Sequence, residues 1–301
     1  MTLLVLLGAT GTGKTDLSIS LAKYFGTEII SADSRQIYME LDIGTAPPAP
    51  EQLDEVKHHF IKSRSIFDEY TAGKYETDAL KVIGKLFETN DYVWLVGGSG
   101  LYIDAVCKGI DDIPATDPEL RKNIVKRYRE EGIDSLRCEL ERLDPDICST
   151  LDIHNPQRVI RALEACVSSG KPYSSLRKNF EKSRPFNIIK IGLTIDRNLL
   201  YNRINTRVDR MMEAGLEKEA EKLYRFKELN ALKTVGYREL FDYFDGKTGL
   251  EKSVELIKRN TRRYAKRQIT WFARYPEIRW FHPDDFDGII AEIRKRSEKD
   301  G

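Results

Sequence analysis

Gly8-Ala9-Thr10-Gly11-Thr12-Gly13-Lys14-Thr15 stands between the apolar run Leu3-Leu4-Val5-Leu6-Leu7 and the stretch Asp16-Leu17-Ser18-Ile19-Ser20-Leu21-Ala22. The order is that of a short buried strand, a glycine-rich turn and an amphipathic helix, with G-x-x-x-x-G-K-[ST] at the join. Glycines at 8, 11 and 13 let successive backbone N–H groups point into one concavity, and the new helix adds its positive end there. Lys14 reaches for terminal phosphates, and the Thr15 hydroxyl suits the shell of a magnesium ion. The loop therefore holds a phosphate chain. It leaves open whether that chain is hydrolysed, donates a phosphoryl group or departs as diphosphate.

Working outward, Glu28-Ile29-Ile30-Ser31-Ala32 reads as a second strand, ending at Asp33-Ser34-Arg35-Gln36. Carboxyl ends of parallel strands are where open α/β sheets bind ligands, so Asp33 is expected beside the phosphate loop. Asp42 to Pro48 is turn-like. His58 and His59 have no companion cysteines or histidines at zinc spacing and read as loop residues. A helix is expected from Thr71 or Ala72 through Phe87, followed by a fully apolar strand, Tyr92 to Val96. That strand ends in Gly97-Gly98-Ser99-Gly100, where a P-loop hydrolase would usually carry an acid. Glycines with one hydroxyl suggest that a bulky ligand approaches the backbone there.

From about residue 115 to 184 the pattern is helical with no β run, which predicts a helical insertion (115–184) in an α/β core (1–114 and 185–301). Its clearest helix, Asn155 to Val167, has Asn as cap, Pro at the first position and Gly170 beyond its end. The chain then returns to strand at Ile188–Ile195. Leu199 to Phe226 reads as one long helical stretch, with Arg203, Arg207 and Arg210 on one side; they either close over a diphosphate or form an exposed face paired with glutamates. Two more helices, Tyr237–Tyr243 and Leu250–Arg274, precede a short strand at Trp280-Phe281 and a charged tail expected to fray.

Composition sets bounds on function. The chain has 301 residues, 41% apolar and 32% charged, with a net charge of +1. No apolar run nears the roughly 20 residues of a membrane helix, no secretory leader is recognisable, and four scattered cysteines read as reduced packing thiols. A cytoplasmic, monomeric protein is expected. Eight Lys or Arg and only one acid, Glu277, fall between Lys258 and Arg279. Further clusters lie at Arg121–Arg129 and at Lys171, Arg177, Lys178, Lys182 and Arg184. Such patches on a near-neutral chain suit a polyanion, although each alone is equally a solvated helix face.

In their order, several segments resemble the tRNA dimethylallyltransferase (tRNA isopentenyltransferase) family: GATGTGKT at 8–15, DSRQIY at 33–38, DIGTA at 42–46, GGSGLY at 97–102, NPQRVIRALE at 155–164, RVDRMMEAGLEKE from 207, VGYRE at 235–239 and TRRYAKRQITWF at 261–272. The loop departs from the family's more usual GPTASGKT, and Ser99 stands where Thr is usual; both keep the chemistry. The zinc-binding extension of eukaryotic members is not expected here, and the resemblance is to bacterial forms. The resemblance implies a P-loop-like parallel sheet with an all-helical insertion. It also implies transfer of a dimethylallyl group from its diphosphate to N6 of the adenosine 3′-adjacent to the anticodon in tRNA, with Mg2+ held at Thr15. It implies catalytic roles for Asp33, Lys14, Thr15 and Ser99, with Asp33 accepting the N6 proton; as a residue type in that place, Asp33 also suits a magnesium shell or a helix cap. Gly8, Ala9, Thr10, Gly11, Thr12, Gly13, Lys14 and Thr15 would hold the diphosphate, in a loop class that also binds nucleotides such as ATP. Asp33, Ser34, Arg35, Gln36, Ser99, Arg121, Gln157, Arg158, Val159, Ile160 and Arg161 would touch tRNA. The rival readings are a small-metabolite kinase, a prenyltransferase acting on free adenine nucleotides and an RNA-binding ATPase.

Overall fold

Six strands, β1 (Thr2–Gly8), β2 (Ile29–Ala32), β3 (His58–His59), β4 (Tyr92–Gly97), β5 (Asn187–Leu193) and β6 (Arg279–Phe281), form one sheet in the order β3-β2-β4-β1-β5-β6. Every pairing is parallel in this computed structural model. The structure describes residues 1–111, 113, 117–177 and 181–298. Lys178, from the third basic cluster, and residues 114–116, where the insertion was expected to begin, lie outside the described residues.

The central strands are apolar throughout because both faces are covered. On one face Leu3, Val5, Leu7, Val93 and Leu95 pack with α3 (Ala72–Leu86), α4 (Gly100–Lys108) and Phe272. On the other, Leu4, Leu6, Trp94, Val96 and Ile191 meet α1 (Lys14–Phe25) and α14 (Phe286–Ser297). The tail expected to fray is thus a capped helix: Asp285 accepts from the Gly288 N–H, and Ile289, Ile290 and Ile293 are buried against the sheet. His58 and His59 are likewise an edge strand, with His59 Nε2 2.5 Å from Glu28. A two-residue strand is too short for its periodicity to register.

Two compact units divide the chain, Met1–Cys107 with Ser183–Gly301, and Lys108–Lys182. The second is helical: α5 (Pro118–Glu131), α6 (Ile133–Leu143), α7 (Pro145–Thr150), α8 (Pro156–Ser169) and α9 (Tyr173–Leu176). Asn155 caps α8 by accepting from the Gln157 N–H at 3.1 Å, and Gly170 ends it in the left-handed region. The core of this unit is Ile124, Leu136, Leu140, Ile147, Val159, Ile160 and Leu163.

In the first unit the long stretch after β5 is broken. It forms α10 (Arg197–Glu213) and α11 (Leu216–Leu223), separated at Gly215, where φ is +99°. After α2 (Pro50–Glu55), α12 (Tyr237–Phe244) and α13 (Leu250–Phe272) complete the helices. A third core, built on Ile37, Leu41, Val208, Leu216, Tyr237, Leu240 and Ile257, joins α10 to α13 to the segment after β2. Among the described residues no helix is long and apolar enough to cross a membrane.

Candidate active site

A cavity of about 940 Å³ opens at the carboxyl ends of β1, β2 and β4, lined by Thr10, Gly11, Gly13, Lys14 and Thr15 together with Asp33, Ser34, Arg35 and Gln36. The phosphate loop and the segment after β2 thus meet, as strand order demands: β4 alone separates β1 from β2. Gly11 and Gly13 sit at φ +85° and +93°, which a side chain would disfavour, and Gly13 stands at the N-terminus of α1. The Thr12 hydroxyl donates to the Ala9 carbonyl at 2.9 Å and is buried beneath the loop, as is Ala9.

Lys14 folds its amine back onto the loop, donating to the Gly8 and Ala9 carbonyls at 2.9 and 2.7 Å. The residue is part-exposed, but its ammonium is enclosed. Burial lowers its pKa to about 8; Arg207 pushes the same way and Asp33 opposes. Arg207 comes from α10, donates to the Ala46 carbonyl at 3.0 Å and approaches the Thr10 hydroxyl at 3.5 Å. Burial lowers its pKa too, and Asp33 raises it. Asp33 is therefore the anion facing two desolvated cations. Arg203 and Arg210 line the rim of the cavity from exposed positions on α10, so of these three arginines Arg207 alone is withdrawn from solvent.

Asp33 Oδ1 accepts from the N–H groups of Arg35 and Gln36, at 2.8 and 3.2 Å. This is the turn-capping role a carboxylate after a strand commonly takes. It fixes the carboxylate plane, and among the described residues Oδ2 has no hydrogen-bond partner. Asp33 is thus both a cap and an available base.

Several expected contact residues are engaged elsewhere. Arg35 donates to the Asn230 and Ala231 carbonyls, and Gln36 to those of Thr45 and Ala46. Ser99 is buried behind the wall: its Oγ accepts from the Ser34 N–H at 2.9 Å, and its own N–H donates to Ala32. Tyr264 also lines the cavity, and burial, followed by Asp33, pushes its phenol up to about 12. The glycine turn is open for an internal reason. A Cβ at residue 98 would lie 2.3 Å from Gln268 Nε2, so the protein's own amide needs that glycine, while Gly97 and Gly98 still present their backbone to the cavity.

In the helical unit, Val159 and Ile160 are fully buried, which corrects their placement among RNA-contacting side chains: they are core. Arg121 and Arg161 reach the buried Glu164 at 2.7 and 3.7 Å, while Arg158 lies 4.0 Å from Asp152. Gln157 is exposed.

Sequence reasoning missed Gln268, Tyr264 and Glu219. Gln268 sits three and four residues from the buried Ala265 and Phe272, and a polar residue on an apolar helix face was the available signal. Glu219 accepts from three successive N–H groups of the 42–44 loop; its place at the end of the family-like segment 207–219 was the available signal.

A parallel sheet with G-x-x-x-x-G-K-T after its central strand β1 and a carboxylate after β2, two places along the sheet, defines a P-loop-like α/β protein. The sequence profile of the IPP transferase family matches residues 36–275. A tRNA dimethylallyltransferase 1 of Bacteroides fragilis is 52% identical over 97% of both chains. The solved tRNA isopentenylpyrophosphate transferase of Bacillus halodurans is 37% identical with a TM-score of 0.71, covering 99% of this chain and 96% of that one. A eukaryotic dimethylallyltransferase acting on tRNA is 26% identical with a TM-score of 0.78, covering 98% of this chain and 77% of that one. The chain belongs to the IPP transferase family.

Proposed function

We propose that the protein transfers a dimethylallyl group from dimethylallyl diphosphate to N6 of the adenosine on the 3′ side of the anticodon in tRNA. The observation that carries this reading is the placement of Asp33, an oriented carboxylate, in one cavity with Lys14, Arg207 and the phosphate loop. N6 attacks the allylic C1, the bond from C1 to the diphosphate oxygen breaks, and its electron pair leaves with diphosphate. Asp33 accepts the N6 proton through Oδ2 while Oδ1 stays tied to the turn. Lys14, Arg207 and the N-terminal end of α1 bear the charge that grows on the leaving group.

Magnesium fits the donors present. The Thr15 hydroxyl lines the cavity with no hydrogen-bond partner among the described residues. Mg2+ commonly takes one or two protein oxygens, with phosphates and water filling its shell. When bound it would neutralise diphosphate charge. A base stacked in an anticodon loop must leave the stack to reach Asp33, so base flipping is part of this reading. Exposed Arg263, Lys266 and Arg267 on α13 supply charge for backbone phosphates. A monomer acting in the cytoplasm accords with the composition.

The test is one labelled-donor assay in which dimethylallyl diphosphate meets unmodified tRNA, free AMP and ATP in parallel. Label on tRNA adenosine is expected. Label on AMP alone, or phosphoryl transfer from ATP, would overturn the proposal.

A further inference from the structure

Gln268 is 6% exposed, and both ends of its amide are used on backbone groups of two different loops. Its Oε1 accepts from the Thr10 N–H at 2.9 Å, and its Nε2 donates to the Gly98 carbonyl at 2.8 Å. No other side-chain hydrogen bond joins the phosphate loop to the turn after β4 among the described residues. Thr10 also meets Arg207, and Gly98 directly precedes Ser99, which holds Ser34 beside Asp33. One buried amide therefore ties the leaving-group side of the cavity to the side that carries the base, beyond the point where the β1–β4 ladder ends at Leu7 and Gly97.

The same helix has a second face. Arg263, Lys266 and Arg267 are exposed and have no ion pair among the described residues. Lys266 and Arg267 follow Arg263 by three and four residues; Arg263 and Lys266 lie on the side away from Ala265, Gln268 and Phe272, and Arg267, over the Tyr264 ring, borders the cavity itself. A helix moves as a unit, and a hydrogen bond weakens steeply once it lengthens or bends by a few tenths of an ångström or some tens of degrees. Movement of α13 under a polyanion is thus felt at Thr10 and Gly98 together, because the amide has no slack at either end.

We infer that Gln268 is a positioning residue that couples nucleic-acid engagement on the basic face of α13 to the grip of the phosphate loop on diphosphate. The inference rests on the reading above that this face holds tRNA. Coupling of this kind is reciprocal: whatever factor tRNA lends to diphosphate binding, diphosphate lends to tRNA binding.

The experiment titrates inorganic diphosphate into the full chain, with and without saturating unmodified tRNA, for the native protein and for Gln268→Met. Met has similar volume and removes both hydrogen bonds. In the native protein tRNA is expected to tighten diphosphate about five-fold or more, within the usual range of such couplings. In Gln268→Met that factor falls to one, while the dissociation constant for tRNA alone is unchanged. Equal coupling in both proteins, or none in the native protein, overturns the inference. A purely structural Gln268 would lower the melting temperature and leave the coupling in place. Should Gln268→Met fail to fold, Gln268→Glu keeps an acceptor for Thr10 and loses the donor to Gly98; the same loss of coupling is expected. Failure of the functional reading shows separately, as absence of labelled tRNA with the native protein.

Discussion

Glu219 and Tyr237 meet at 2.6 Å, and the carboxylate that accepts the Tyr237 hydroxyl also accepts the N–H groups of Asp42, Ile43 and Gly44 at 3.2, 2.8 and 3.0 Å. Four donors converge on one side chain. Burial and the adjacent Glu219 raise the Tyr237 phenol far above its ordinary range, so it remains a donor at every physiological pH. The loop so held ends at Ala46, whose carbonyl receives both Gln36 and Arg207 at 3.0 Å. Hydrogen bonds to a charged group are worth about 1.5–3 kcal/mol each, and stranding several donors costs more than losing one. Glu219→Ala is expected to lower unfolding free energy by about 3 kcal/mol and Tyr237→Phe by about 1 kcal/mol in denaturant melts. Glu219→Ala should also raise KM for the prenyl donor, through the loosened seat of Arg207. An unchanged KM would mean that the loop does not set that arginine.

Asp33 has two oxygens with separate duties, and a substitution can divide them. Asparagine retains an oxygen for the Arg35 and Gln36 N–H groups but cannot take a proton from N6. Asp33→Asn is therefore expected to melt close to the native protein, bind tRNA normally and lose transfer by about a hundred-fold or more, the usual weight of a general base. Asp33→Ala removes the cap as well and should melt lower. If Asp33→Asn keeps most of its activity, Asp33 is a cap alone.

The lowered pKa of Lys14 gives a pH dependence whose sign can be worked through. Burial, with Arg207 adding to it and Asp33 opposing, places the ammonium at about 8 rather than 10.5. Below pH 8 the free protein presents a cation to diphosphate; above it, the loop loses that charge. Measured against the prenyl donor, kcat/KM should fall on a basic limb near pH 8. Stability runs the other way. Between about 8 and 10.5 the unfolded chain binds more protons at Lys14 than the folded one, so its contribution to stability improves as pH rises. Lys14→Met should abolish the basic limb together with most activity, and a limb of unchanged position in that variant would assign it to another group.

The phosphate loop, the strands around it and the capped helix α8 were legible because each is specified within a few residues of itself. An apolar run, a glycine with positive φ or an Asn-Pro start carries its own geometry. Asp33 was legible by position: a strand end next to the loop in a parallel sheet leaves little choice of place. Gln268 and Glu219 act on backbone groups 258 and about 176 residues away, and no local pattern encodes a partner at that distance. The glycine turn at 97–100 was read for its space without knowledge of what fills it. Val159 and Ile160 lie inside a family-like segment, yet a helix turns one face inward at every third or fourth residue, and these two face the core. For the C-terminal tail, abundant charge concealed three isoleucines spaced for one helix face.

That tail gives the last expectation. Ile293 on α14 is fully buried with Ile289 against the face formed by Leu4, Leu6, Trp94 and Ile191, the same face that α1 covers. Deleting its side-chain mass leaves a cavity under the central strands, which costs about 2–5 kcal/mol for Ile→Ala. Arg294, one residue on, is exposed and among the described residues reaches only Tyr24, at its hydroxyl and ring, so Arg294→Ala should change stability by about 0.5 kcal/mol or less. The cavity that holds Asp33 opens at the strand ends, and α14 contributes no residue to its lining. Ile293→Ala is thus expected to lower the melting temperature by several degrees, while activity per folded molecule, assayed well below that temperature, stays within two-fold. A loss of activity without a loss of stability would instead mean that the helix reports directly to the site.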